Sequence, residues 1–234
     1  MDRLEIIRGL TEIRDPDFMF ARNYLADARI DLITAPVDAL AWLERQATAG
    51  VHEAQFTLAK LLTTGVLGKI DQTSAFEWCT RATAGGFEPA FVLLSAFYSE
   101  GWAGVQRDDA RALSLLHQGA EAGYAHAMAL LATAYSEGIR VAKDTDKGHF
   151  FLRQAAECGD ATSQLHLGRE LLEAKDAQQQ MEAIRWIRTA AKQNFSSAHR
   201  ELADLYWKGV VGLPRDETKA RFHRQKADEL EQDG

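Results

Sequence analysis

A five-residue segment that opens on glycine and closes on alanine returns along this chain at a nearly constant interval. It reads Gly50-Val-His-Glu-Ala54, Gly86-Phe-Glu-Pro-Ala90, Gly123-Tyr-Ala-His-Ala127 and Gly159-Asp-Ala-Thr-Ser163, with a weaker fifth copy, Asn194-Phe-Ser-Ser-Ala198. The closing residues stand 36, 37, 36 and 35 positions apart. A period of this size means that one supersecondary unit is repeated, and that each unit finds its core by stacking on its neighbours.

The interior of each copy says what the unit is. Four residues after the closing position comes a leucine (Leu58, Leu94, Leu131, Leu167, Leu202), then a small residue (Ala59, Ser95, Ala132, Gly168, Ala203). Three further on stands leucine or tyrosine (Leu62, Tyr98, Tyr135, Leu171, Tyr206). These steps fall on one helical face, and the small residue lets another helix approach closely. Gly65, Gly101, Gly138 and Gly209 are expected to end the helix in a left-handed residue. Asp71, Asp108, Asp144 and Asp216 follow after short loops, each suited to cap a second helix. That second helix carries Ala39, Ala75, Ala112, Gly148, Ala183 and Ala220, each followed three residues later by Trp42, Trp78, Leu115, Phe151, Trp186 and His223.

The string Ala-x-x-x-Leu-Gly-x-x-Tyr-x-x-Gly, a loop with Asp, then Ala-x-x-Trp and Ala-Ala-x-x-Gly, resembles the Sel-1-like repeat, a relative of the tetratricopeptide repeat, over about residues 36 to 231, and the resemblance implies a bacterial source. The expected fold is all-α, a right-handed α/α solenoid of about five to six antiparallel helix pairs. Residues 1–234 are read as one domain, with 1–50 as an N-terminal cap and degenerate first repeat. Repeats follow at 54–89, 90–126, 127–162, 163–197 and 198–231. In the cap, Asp15-Pro16-Asp17 starts a helix running toward Ile33, and Thr34-Ala-Pro36 starts the next. The fourth repeat departs from the pattern: Ala174 replaces the glycine, and the loop Lys175–Met181 is short and, on this reading, lacks its capping aspartate.

Charge and cysteine content narrow the partners. With 27 basic and 34 acidic residues the net charge is −7, which speaks against a broad grip on nucleic acid or anionic lipid. No stretch resembles the roughly 20 apolar residues of a membrane span. Asp2, Glu5 and Glu12 interrupt the N-terminal apolar residues, so no secretory leader is expected there. Two cysteines do not make a disulfide framework. The expected location is therefore the cytoplasm.

A search for chemistry returns little. Gly65-Val-Leu-Gly68-Lys69-Ile70 is one residue short of a phosphate-binding loop and ends in Ile rather than Ser or Thr. His166 and Glu170 share a helical face without an evident third metal ligand. Cys79 occupies a slot filled elsewhere by Leu43, Leu116, Leu152 and Ile187, the place of a buried hydrophobe. No catalytic residue, metal or cofactor is expected.

The resemblance implies that the first helices line a concave groove. Slot by slot, the groove would present Phe56, Val92, Ala129, Leu165 and Arg200, then Lys60, Ala96, Thr133, Arg169 and Asp204. An acidic ladder of Glu100, Glu137 and Glu173 would flank them, with Trp207 and the loop residue Trp102 as candidate anchors. The expected function is a non-catalytic adaptor for a protein or peptide, acting as a monomer or weak homo-oligomer. A small-ligand or hydrolytic protein with a hidden site is the alternative.

Overall fold

The computed structural model describes residues 36–64, 70–210 and 212–232. Eleven α-helices lie among them: α1 (Pro36–Thr48), α2 (His52–Thr64), α3 (Gln72–Ala84), α4 (Glu88–Glu100), α5 (Asp109–Glu121), α6 (Ala125–Glu137), α7 (Thr145–Glu157), α8 (Ala161–Leu172), α9 (Ala177–Lys192), α10 (Ser196–Lys208) and α11 (Glu217–Gln232). The only extended pairing among the described residues is an isolated bridge between Val210 and Leu213. The fold is all-α and built from helix pairs, as the period requires. The N-terminal helix expected from Asp15, and Gly65 with the loop that follows it, lie outside the described residues.

Four of the pairs are closed by the same small set of bonds. The backbone N–H of Asp71, Asp108, Asp144 and Asp216 donates to the carbonyl of the leucine or tyrosine in the preceding helix: Leu62, Tyr98, Tyr135 and Tyr206, at 2.9–3.0 Å. The aspartate side chain then accepts the N–H three residues on, from Ser74, Arg111, Lys147 and Lys219 at 2.8–3.1 Å. One residue thus ends one helix and starts the next. These bonds to cationic-side backbone donors hold the carboxyls of Asp144 and Asp216 below their ordinary range, Lys147 and Lys219 contributing the first and largest effect.

The fourth repeat keeps its cap, contrary to the sequence reading. Asp176 Oδ2 accepts the N–H of Gln179 at 3.1 Å. The shortening falls ahead of the cap, so the loop loses length without losing the aspartate. With Ala174 in place of glycine, α8 ends right-handed at Glu173 through tight bonds to Glu170 and Leu171. The Gln180 side chain then donates to the Ala174 carbonyl at 2.8 Å, satisfying an acceptor at the helix end. At the other turn of each repeat, Gly50, Gly86, Gly123 and Gly159 are left-handed, and the fifth copy places Asn194 there at φ 58°. Asparagine is the side chain that tolerates this conformation best, which accounts for the substitution.

The described residues form two compact units that divide between Ala127 and Met128. In the first, α2 to α5 bury Phe56, Cys79, Phe91, Leu94, Phe97 and Leu115 together, with Phe76 edge-on to Phe97 at 5.4 Å. Cys79 takes its expected place in this core and donates a weak hydrogen bond to the Ala90 carbonyl. In the second unit, α8 to α11 enclose Leu165, Ile184, Ile187, Leu202, Leu205 and Leu213. Close approach is set by the small-residue slots. A Cβ on Gly168 would lie 3.1 Å from the Ala183 carbonyl and collide with Ile187.

Two substitutions test this construction by urea denaturation. Gly168→Ala is expected to destabilise by about 1–3 kcal/mol, because backbone as well as a side chain must give way. Asp176→Ala is expected to cost about 0.5–2 kcal/mol, the worth of a helix cap.

Candidate functional site

The expected groove residues divide sharply by burial. Phe56 is 0% exposed and Leu165 2%, and Val92 and Lys60 are also buried. They are corrected here from groove-lining to interior positions. Phe56 rests against Phe87 at 5.4 Å, and Leu165 belongs to the core of α8 to α11. The slot assignment carried over from the tetratricopeptide arrangement places these side chains outward, but the large apolar residues on this face turn into the helix packing instead. An apolar strip from Phe56 to Leu165 is therefore not open to a partner.

The polar candidates remain at the surface. Glu100, Glu137 and Glu173 are exposed, each at the last turn or cap of a first helix. Arg169 is exposed and held by Glu201 of the following repeat, Nε to Oε2 at 2.6 Å. Further along, Arg200 pairs with Glu231 and Arg224 with Asp204 between α10 and α11. Trp207 is 50% exposed, with the Arg215 guanidinium 5.5 Å from its ring centre. Trp102 stands on a short 3-10 turn, Trp102–Gly104, edge-on to Phe97 at 5.8 Å, so one side of its ring already packs on its own repeat.

Within the second unit the first helices α6 and α8 leave a cleft of about 210 Å³. Ala129, Ala132 and Leu152 give it apolar surface; Thr133, Ser136, Thr162 and Ser163 add hydroxyls; Glu137, His166 and Glu170 add titratable groups. Glu170 Oε2 lies 3.4 Å from His149 Nε2 on α7. His166 and Glu170, paired in the sequence reading, thus share one cleft. Among the described residues, no group of three or more His, Cys, Asp or Glu is placed to hold a metal ion. The cleft's chemistry is that of acceptors and hydroxyls around an apolar patch.

A histidine pair that sequence reasoning did not find lies between α10 and α11. His199 and His223 are linked Nδ1 to Nδ1 at 2.9 Å, and His223 stacks on Tyr206 at 5.6 Å. The bond requires one ring to donate and the other to accept. Burial holds both imidazoles below the ordinary histidine range; the charges of Lys226 on His199, and of His199 and Arg188 on His223, act in the same direction. The only signal in the sequence was His223 standing where earlier repeats carry Trp, Leu or Phe.

Helix pairs repeated at a fixed period define a helical-repeat protein of the α-solenoid class. The chain belongs to the Sel1 repeat family. The family's Sel1 repeat profile matches at residues 52–87, 92–124, 125–160, 161–195 and 196–227. Its members generally act as protein-interaction scaffolds. A Sel1 repeat protein from Oxalobacter formigenes is similar in structure, with 26% identity and TM-score 0.75 over 94% of this chain and 92% of that one. A protective antigen of uropathogenic Escherichia coli superposes with TM-score 0.70 and 23% identity over 92% of this chain and 46% of its own. An immunity protein from Pseudomonas aeruginosa does so with TM-score 0.61 and 20% identity, over 94% of this chain and 84% of that one. The last two bear on fold alone. No curated protein matches. Among the described residues, no helix is long and apolar enough to cross a membrane.

The histidine pair gives a pH dependence with a definite sign. In the unfolded chain each imidazole takes up a proton as pH falls through about 6.5, whereas in the folded chain it stays neutral to lower pH. Stability from the pair is therefore complete above the ordinary histidine value, and is lost as pH falls from there to the depressed folded values. The urea midpoint is expected to drop between pH 7.5 and pH 5, and to drop less in His223→Phe.

Proposed function

We propose that this chain is a non-catalytic scaffold, folded as one functional domain, that holds a protein or peptide partner on the exposed polar surface of its first helices. The observation that carries this reading is the cleft between α6 and α8. It is open and lined by hydroxyls and carboxylates over an apolar patch. Such a surface suits recognition of side chains; a catalytic site would need converging groups with matched proton affinities.

The partner-facing residues on this reading are Glu100, Glu137, Arg169, Glu173 and Trp207, with Trp102 as an accessory contact. Phe56, Lys60, Val92 and Leu165 support the surface from within. Trp207 is the natural anchor, because a half-exposed indole offers a large apolar area at low entropic cost. The carboxylates act chiefly on the rate of encounter and on selectivity.

Photo-crosslinking in cells distinguishes the faces. A benzoylphenylalanine placed at Trp207 or Glu137 should capture a discrete partner, whereas the same probe at Phe150, exposed on α7, should not. Capture from Phe150 alone would overturn the reading. With that partner in hand, Trp207→Ala should weaken binding by about 1–3 kcal/mol through faster dissociation, measured by surface plasmon resonance. Leu165→Ala should instead lower stability by about 2–5 kcal/mol in denaturation, as a cavity in the core does.

A further inference from the structure

The closing position of the five-residue segment is alanine in four copies and serine in one, Ser163. In the other copies this position is a packing contact; Ala54, Ala90, Ala127 and Ala198 are all 0% exposed. Ser163 sits in the same place at the start of α8 and is 2% exposed, yet it carries a hydroxyl that no alanine has. Among the described residues that hydroxyl has no hydrogen-bond partner, the bond to Asp160 being made by the Ser163 backbone N–H, and it lines the cleft between α6 and α8. Among the described residues Thr57 Oγ1 is the enclosed side-chain atom left without a partner; the Ser163 oxygen instead opens onto the cleft, where a donor entering from outside can reach it.

The surroundings specify the partner's chemistry. The Ser136 hydroxyl lies above Gly148, where any Cβ would strike it, so the second helix is thinned just beside the cleft. Glu137 and Glu170 stand on the cleft's two helices, one on each, and both are exposed. His149 approaches only Oε2 of Glu170, leaving Oε1 to an incoming donor. Every one of these groups accepts hydrogen bonds, two carry negative charge, and Leu152 supplies an apolar surface beneath them. A planar guanidinium on a methylene stem matches this set, because it brings five donors, a delocalised positive charge and an apolar shaft.

We propose that the α6–α8 cleft is an arginine-recognition pocket, in which Ser163 and the carboxylates of Glu137 and Glu170 receive the guanidinium of a partner's arginine side chain. This deepens the scaffold reading and rests on it. Ser163 is the selective element: the carboxylates attract any cation, but the hydroxyl at the base rewards the ligand whose donors reach past them.

The test uses the full chain, labelled with ¹⁵N, and two peptides, acetyl-Ala-Arg-Ala-amide and its neutral citrulline counterpart, in which a ureido oxygen replaces one nitrogen of the guanidinium. The arginine peptide is expected to give saturable amide shifts within residues 133–137 and 162–170, with the citrulline peptide at least about tenfold weaker. Ser163→Ala restores the residue found in the other four repeats and so should fold normally, while weakening the arginine peptide about fivefold, the worth of one hydrogen bond. Glu137→Gln with Glu170→Gln should weaken it by more than about tenfold. Equal binding of citrulline, shifts scattered over surface carboxylates without saturation, or unchanged affinity in Ser163→Ala would each overturn the pocket. Saturable shifts confined to α10 would overturn it too, while leaving the scaffold reading in place.

Discussion

Much of this fold depends on a tie made by one aspartate at the hinge of four of its helix pairs. Its N–H goes back to a carbonyl near the end of the first helix, and its carboxylate forward to an amide opening the second. The two bonds fix where the second helix begins relative to the first, and hence which side chains of the two face each other. The packing of Leu, small residue and Tyr into a common core follows from that register. Without it, two amphipathic helices of 13 residues could pair in several offsets. The tie uses backbone and one short side chain, so it leaves the outward residues of both helices free to vary.

Most of the fold was legible because it was written several times. A glycine, a leucine or an alanine at one position says little, but at a fixed interval in five copies it defines helix faces, turns and close approaches together. The fourth repeat exposed the limit of that method. Its aspartate was overlooked because the loop was measured from a glycine that is not there, although Asp176 stands where the cap needs it. A cap is defined by its distance to the helix it starts, not to the helix that came before.

The surface was less legible than the core, for a physical reason. Periodicity tells which residues share a face, but not how deeply that face is overlaid by its neighbours. Phe56 and Leu165 were assigned outward by slot, yet large apolar side chains bend into whatever packing is available. The exposed status of Glu137, Glu173 and Trp207 followed more easily, since charge and helix-end position both favour solvent. The paired imidazoles of His199 and His223 were beyond reach, because their meeting depends on two helices crossing at one height. Only the loss of an aromatic at position 223 hinted at them.

The serine at position 163 has a consequence for how such a chain carries information. In an array of near-copies, a residue that keeps the period serves the architecture and names no particular repeat. A residue that breaks it, while leaving the packing undisturbed, marks one repeat as different from its siblings. Ser163 differs from alanine by a single oxygen, small enough to be tolerated in the core and polar enough to be felt at the surface. Identity in a repeating molecule is thus stored as sparse deviations, much as a message is carried by modulation of an otherwise regular wave.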